Sequence, residues 1–438
     1  MHAHGHGLVG GWSAWARDRV LRVVLVAVVA IALATVVGVV ALWPDGEGRR
    51  TAIANADELG LVTDRLSATV EEVVDRDCSY STSDNPQDCR LVMLVVHEGP
   101  EAGSIVSLPE INLMFEQGLS DLSPGDRVVL GYEDSTNFYF FADQDRRVSL
   151  VWLTGLFAVV VIALGRLRGL LALVGMAMTL ALLVGFVAPS VLDGNDPLLV
   201  AVVAASAIAF VSLYLTHGFT PTTTVALAGS LAALGLTLGL SWLFFELATF
   251  SGLATEEALV LPFIAENLDI SGLLLGGAII GALGALDDVT VTQVSTVAEL
   301  RRRSPHLPTS ELVSSGIRVG RDHIASTVNT LLLAYAGASM PLLLLFAVSD
   351  QSLEMIANSE IIAVEIVRTL CGSIGLVAAV PITTALAAAV LRPHPVDGGL
   401  VTEAPDSGDA EAPEPDTFPP AVVQRPQWED FGPETELT

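Results

Sequence analysis

Eight runs of about twenty predominantly apolar residues divide this chain, and that many membrane-length segments leave it no way to fold in water alone. They lie at 20–43, 149–165, 169–191, 197–216, 222–250, 271–295, 323–349 and 361–391. Composition agrees: 52% of the 438 residues are hydrophobic, 16% are charged and the mean hydropathy is +0.59, whereas a soluble domain carries about a quarter charged residues. The first run is too long for a signal-peptide core and no A-x-A site closes it, so it reads as an uncleaved anchor. The expected fold is an α-helical polytopic membrane protein of about eight transmembrane helices.

Short basic loops stay on the cytoplasmic side. With the N-terminus inside, that side collects Arg17, Arg19, Arg22, Arg166, Arg168, Arg301, Arg302, Arg303, Arg318, Arg321 and Arg392. The opposite loops carry Asp193, Asp196, Glu256, Glu257, Glu266, Asp269, Asp350, Glu354 and Glu360, and no arginine. Both termini are therefore expected in the cytoplasm. All 21 basic residues are arginine, and against 49 acids they leave a net charge of −28, which excludes nucleic acid as a partner.

The polar stretch 44–148 is then exported. Its runs 91–96, 103–108 and 127–130 read as strands separated by Gly99-Pro100 and Ser123-Pro124-Gly125-Asp126 turns, which points to a small all-β domain of OB type, with a sandwich as the other arrangement. Cys78 and Cys89 suit one disulfide in an oxidising compartment, and a metal site is disfavoured because neither lies in a C-x-x-C pair. Cys371 reads as a small core residue. The organisation is thus a leader at 1–19, whose His2, His4 and His6 have no assigned role, an anchor at 20–43, the exported domain at 44–148 and a seven-helix body at 149–392. An acidic tail at 393–438 has ten acids against Arg425 from position 401 onward and is expected to be disordered.

Ionisable groups inside a spanning segment are by default candidates for function. On a 3.6-residue period Gly277, Gly281, Gly284, Asp288, Thr292, Ser295 and Glu299 share one helix face, with Asp287 beside it. Arg318, Asp322, Ser326, Asn329 and Ala336 share a face in the next segment, flanked by Arg321 and His323. Arg318 and Asp322 are spaced to pair. In the last segment Glu365, Arg368, Gly372, Gly375, Ala379 and Thr383 align, ahead of an expected kink at Pro381. Gly277, Gly281, Gly284, Gly372 and Gly375 are read as close helix-packing positions.

The stretches Gly281-Ala282-Leu283-Gly284-Ala285-Leu286-Asp287-Asp288-Val289, Ser315-Gly316-Ile317-Arg318-Val319-Gly320-Arg321-Asp322 and Asn329-Thr330-Leu331-Leu332-Leu333-Ala334-Tyr335-Ala336-Gly337 resemble the YibE/F-like family of bacterial multi-pass membrane proteins. The resemblance extends over about residues 60 to 392. It implies an anchor, an exported domain and a seven-helix body in a bacterial cell membrane. Relatives carry one acid after the glycine helix, at the position of Asp288, and a small or apolar residue where this chain has Asp287. The resemblance therefore favours Asp288.

The leading functional expectation is a transporter or permease, not an enzyme, with Asp288, Asp322, Arg321 and Asn329 as a proton- or cation-coupled site between the sixth and seventh spans. Asp287, Thr292, Glu365 and Arg368 are accessory candidates. Without lysine no Walker A motif exists, and G-x-S-x-G and H-E-x-x-H are absent. An intramembrane aspartyl protease is the weaker reading, because Gly284-Ala285-Leu286-Asp287 lacks the glycine of G-x-G-D. A non-transporting envelope scaffold or ligand-binding protein is the other class. No cofactor or metal is expected. The partners are membrane lipid and an unidentified small solute or ion, with a homo-oligomer or an envelope partner left open.

Overall fold

Helices that are apolar on nearly every side need lipid or burial, and six in the computed structural model are long and apolar enough to cross a membrane. The structure describes residues 19–82, 87–113, 121–134, 136–265, 268–349 and 351–391, without the side chain of Tyr335. The leader with its histidines, Arg17, Glu266, Asp350, Arg392 and the acidic tail lie outside the described residues. The first helices are α1 (Arg19–Ala41) and the short α2 (Glu47–Glu58). After the sheet described below come α3 (Arg147–Leu182), a π-helical turn at Leu183–Val187, α4 (Ala188–Leu192), α5 (Pro197–His217), α6 (Pro221–Ala248) and α7 (Glu256–Ile264). The chain ends in α8 (Ile270–Arg303), α9 (Thr309–Ala338), α10 (Met340–Ala347), α11 (Leu353–Asn358) and α12 (Glu360–Val390). The six candidates are α1, the 147–192 arm, α5, α6, α8 and α12. A seventh arises if α9 and α10, bent by 66°, count as one span.

The 147–192 arm is not straight. Arg166 has φ 51° and ψ −130°, outside helical geometry, and a Cβ at Gly169 would overlap the Val161 carbonyl oxygen. Residues eight apart on a continuous helix are separated by about 12 Å, so the chain folds back at Arg166. This is the break between the apolar runs 149–165 and 169–191.

The helical core is α6, α8 and α12. The α6 and α12 helices run antiparallel, with Gly229 against Thr383 and, two turns on, Thr237 against Gly375. The α8 and α12 helices run parallel, tied by Gln293 to Thr384 at 2.6 Å and by Arg301 to the Leu391 carbonyl at 2.7 Å. The α5 helix covers α8 through Ala201, which abuts Gly276. The α9 helix touches this core along Leu312, Gly316 and Gly320, and most of its remaining surface is exposed.

Helix ends gather on two faces. On one, the Asp193 carboxylate accepts the backbone N–H groups of Gly46 (2.9 Å), Gly48 (2.8 Å) and Arg49 (3.3 Å), capping an α2 helix whose own N-cap is a glycine. Gly48 is required there because any Cβ would strike the Leu192 carbonyl. Ser190 donates to the Leu42 carbonyl, Asn55 to Ile264, and Glu360 accepts from Ser251 and Gly252. On the other face, Arg301 donates to the carbonyls of Leu391, Pro305 and Leu307, tying the end of α8, the 304–308 turn and the end of α12 together.

The sheet consists of β1 (Asp64–Asp77), β2 (Asp88–Val96), β3 (Ile105–Ser107), β4 (Ile111–Asn112), β5 (Arg127–Glu133) and β6 (Phe138–Gln144). All pairings are antiparallel, in the order β3-β2-β1-β5-β6, with β4 on β2. Alternate residues Leu66, Ala68 and Val70 of β1, Val92, Leu94 and Val96 of β2, and Val128 and Leu130 of β5 form its core, the period-two pattern of a sheet buried on one face. Cys78 and Cys89 are joined in a disulfide that closes the β1–β2 connection, and Cys371 is buried and free.

Candidate functional site: a buried carboxyl oxygen where two helices meet

Adjacent residues on a helix point about 100° apart, and here that separates two aspartates completely. Asp288 is exposed, while Asp287 turns toward α6 beside Ser230 and its Oδ1 is buried with no hydrogen-bond partner. Asp287 lies 17 residues from Ile270 and 16 from Arg303, about 25 Å from either end of α8. It is therefore at mid-helix, the place where a carboxyl group is hardest to accommodate.

Beside it are buried hydroxyl groups supplied by α6 and α8. Ser230 of α6 and Thr290 of α8, both fully buried, share a 2.6 Å hydrogen bond, and Thr290 also donates to the Asp287 carbonyl at 3.1 Å. Thr383 of α12 is fully buried with its Oγ1 unpartnered, in the space left by the missing side chain of Gly229. One turn further along α8, Gln293 donates to the Gly316 carbonyl (2.8 Å) and to Thr384 (2.6 Å), so it joins α8, α9 and α12. Gly320 leaves the room that its Oε1 occupies. Among the described residues no group of three or more His, Cys, Asp or Glu is placed to hold a metal ion. The donors are one carboxyl group and neutral oxygens.

The residues expected to form the site are not brought together. Asp288, Arg321, Asp322, Asn329 and Thr292 are all exposed, and no hydrogen bond or ion pair joins Asp288, Arg321, Asp322 and Asn329 to one another. The Arg318–Asp322 pair does not form either. Gly277, Gly281 and Gly284 lie on the same exposed stripe as Asp288, and nothing approaches within 4 Å of a Cβ at Gly277, Gly284 or Gly372. Close helix contacts fall instead on Gly38, Gly229, Gly276, Gly316, Gly320 and Gly375, of which Gly375 alone is among the five expected packing glycines. Glu365 and Arg368 form a local pair at 2.9 Å, with the Arg368 Nε buried and unpartnered.

Ser230, Thr290 and Gln293 lie outside the polar faces that the sequence spacing picks out. A signal existed, since Leu283, Leu286, Thr290, Val294 and Val297 recur at spacings of three and four and form the buried face. A small, polar stripe suggests the interior because tight packing in membranes favours small residues. In α8 the bulky face is the inner one.

A family model described as YibE/F-like protein matches residues 153–393, which contain α8, α9 and α12. No curated protein matches the chain, and no solved structure matches it.

Proposed function

We propose that this chain, which belongs to the YibE/F-like family, is a membrane transporter or permease in which Asp287, an acid that the family resemblance does not favour, is the coupling group. The observation that carries this reading is the Asp287 Oδ1, buried without a partner in mid-helix. An intramembrane carboxyl group contributes nothing to packing and costs about 2.5–3.5 kcal/mol at a helix centre, and a buried polar atom left unpaired calls for a role. One carboxylate balances one proton or one monovalent cation, and a divalent ion would leave a buried positive charge. Ser230, Thr290 and Thr383 are neutral oxygens in the same core. Sites formed where helices meet at mid-membrane, with relative movement of those helices exposing them to either side, are how secondary transporters work.

Eight crossings follow if the arm folded at Arg166 counts twice and α9 with α10 counts once. Both termini then lie on one side, which the arginine distribution assigns to the cytoplasm of a bacterial cell membrane. The gathering of the 42–58, 190–196, 251–264 and 353–360 segments on one face supports that alternation. The OB-like reading of the exported domain draws on a first strand that pairs with both the second and β5, and on a shared pocket lined by Ile105–Pro109 and Asn137–Tyr139.

The competing reading, a ligand-binding envelope protein that transports nothing, draws on a pocket with charged side chains in its wall at the foot of the sheet. It is lined by Arg65, Arg146, Arg147, Glu98, Asp143 and Asp145. There the Arg147 guanidinium and backbone N–H lower the Asp145 carboxyl pKa to about 2, so Asp145 stays ionised at any physiological pH.

Current recording on proteoliposomes, with pools of small solutes applied under imposed proton or sodium gradients, separates the two. A transporter gives a solute-dependent current whose size follows one gradient. Solute binding to the protein with no current under either gradient would establish the envelope reading instead.

A further inference from the structure

The site above leaves unused an apolar crevice of about 650 Å³ between α1, the 147–192 arm and α5. Its walls include Leu25, Val29 and Ala32 of α1, Met178 of the arm, and Phe210 and Leu215 of α5. Tyr214 bonds to Thr224 at 3.1 Å, and Phe219 lies flat against the Tyr214 ring, their centroids 4.5 Å apart and their planes 11° from parallel.

One end of this slot is basic. Arg22 precedes Leu25 by three residues and Val29 by seven, which places it on the crevice face of α1. His217 ends α5 two residues beyond Leu215, and Arg168, just after the fold in the arm, lies within electrostatic reach of it. Among the described residues no carboxylate pairs with Arg22 or Arg168. An apolar slot along membrane-length helices, ending in guanidinium groups that no described carboxylate pairs, has the chemistry of an acyl chain below an anionic headgroup.

We propose that this crevice binds an anionic phospholipid, its tail between α1 and α5 and its phosphate on Arg22 and Arg168. The charge complementarity selects the headgroup, and the apolar walls select a chain over a free phosphate.

Native mass spectrometry of the full chain in detergent, titrated with phosphatidylglycerol or with phosphatidylcholine of the same acyl chains, tests it. The expected result is one phosphatidylglycerol held more tightly than phosphatidylcholine. Arg22→Gln and Arg168→Gln should each weaken phosphatidylglycerol about fivefold and leave phosphatidylcholine unchanged. Ala32→Trp, which fills the slot, should weaken both. Arg50→Gln, an exposed arginine on α2, should change neither. Equal retention of the two lipids by the unaltered chain overturns the proposal. So does unchanged phosphatidylglycerol binding in both arginine variants, or an equal loss in Arg50→Gln, which would mean general charge attraction. Because Arg22 is exposed, its variant keeps the packing of the helix and remains informative if Ala32→Trp fails to fold.

Discussion

Asp287 and Asp288 differ by one position and by almost everything else. Sequence spacing named both, and the family resemblance favoured Asp288, but which one faces the core depends on which face of α8 packs against α6 and α12, and that is a tertiary fact. The neighbouring polar residues test the energetics with opposite signs. Thr383 has a buried hydroxyl group with no partner, so Thr383→Val, which keeps the shape, should stabilise the protein by about 1 kcal/mol. Gln293 satisfies the Gly316 carbonyl and Thr384, so Gln293→Leu should destabilise it by about 1–3 kcal/mol. Thermal unfolding in detergent reads both. A destabilised Thr383→Val would mean that its hydroxyl group is satisfied after all. A gain in stability together with a loss of activity is the pattern expected when polar strain is kept for function.

The apolar runs located the long helices, and the gap between 149–165 and 169–191 marked a boundary inside one of them, because the pattern that makes a helix insoluble is itself local. The sheet was harder. β2, β3 and β5 coincide with apolar runs, whereas β1 carries Asp64, Glu71, Glu72, Asp75 and Asp77 and buries only three residues, so its charge hid it. The docking of α2 was also illegible, since its cap, Asp193, lies far away in sequence. Burial raises the Asp193 carboxyl pKa, but the backbone N–H groups of Gly46, Arg49 and Gly48 outweigh that and lower it overall. A lowered folded value means the contribution is fully present above the unfolded value of about 3.9 and is lost as pH falls through the folded one. Hydrogen exchange at residues 46–49, corrected for its intrinsic pH dependence, should therefore show protection lost only below about pH 3.9. Asp193→Asn should lack that transition, and a transition nearer neutrality would contradict the cap.

At the scale of the molecule, membrane class and helical content were readable from hydropathy, and the three-helix core was not, because helices that are apolar all round give no direction for packing. The sidedness that the arginines predict is testable against a low background, since Cys78 and Cys89 are paired and Cys371 is buried. A cysteine at Glu71 should react with an impermeant reagent in intact cells, and one at Arg302 should react only after permeabilisation. External labelling at 302 would overturn the topology. The central claim, that Asp287 couples transport, is tested most directly by the solute-driven current through proteoliposomes carrying Asp287→Asn or Asp288→Asn at equal folded abundance. Current abolished at 287 and largely retained at 288 is the result expected, and full current in Asp287→Asn would contradict it.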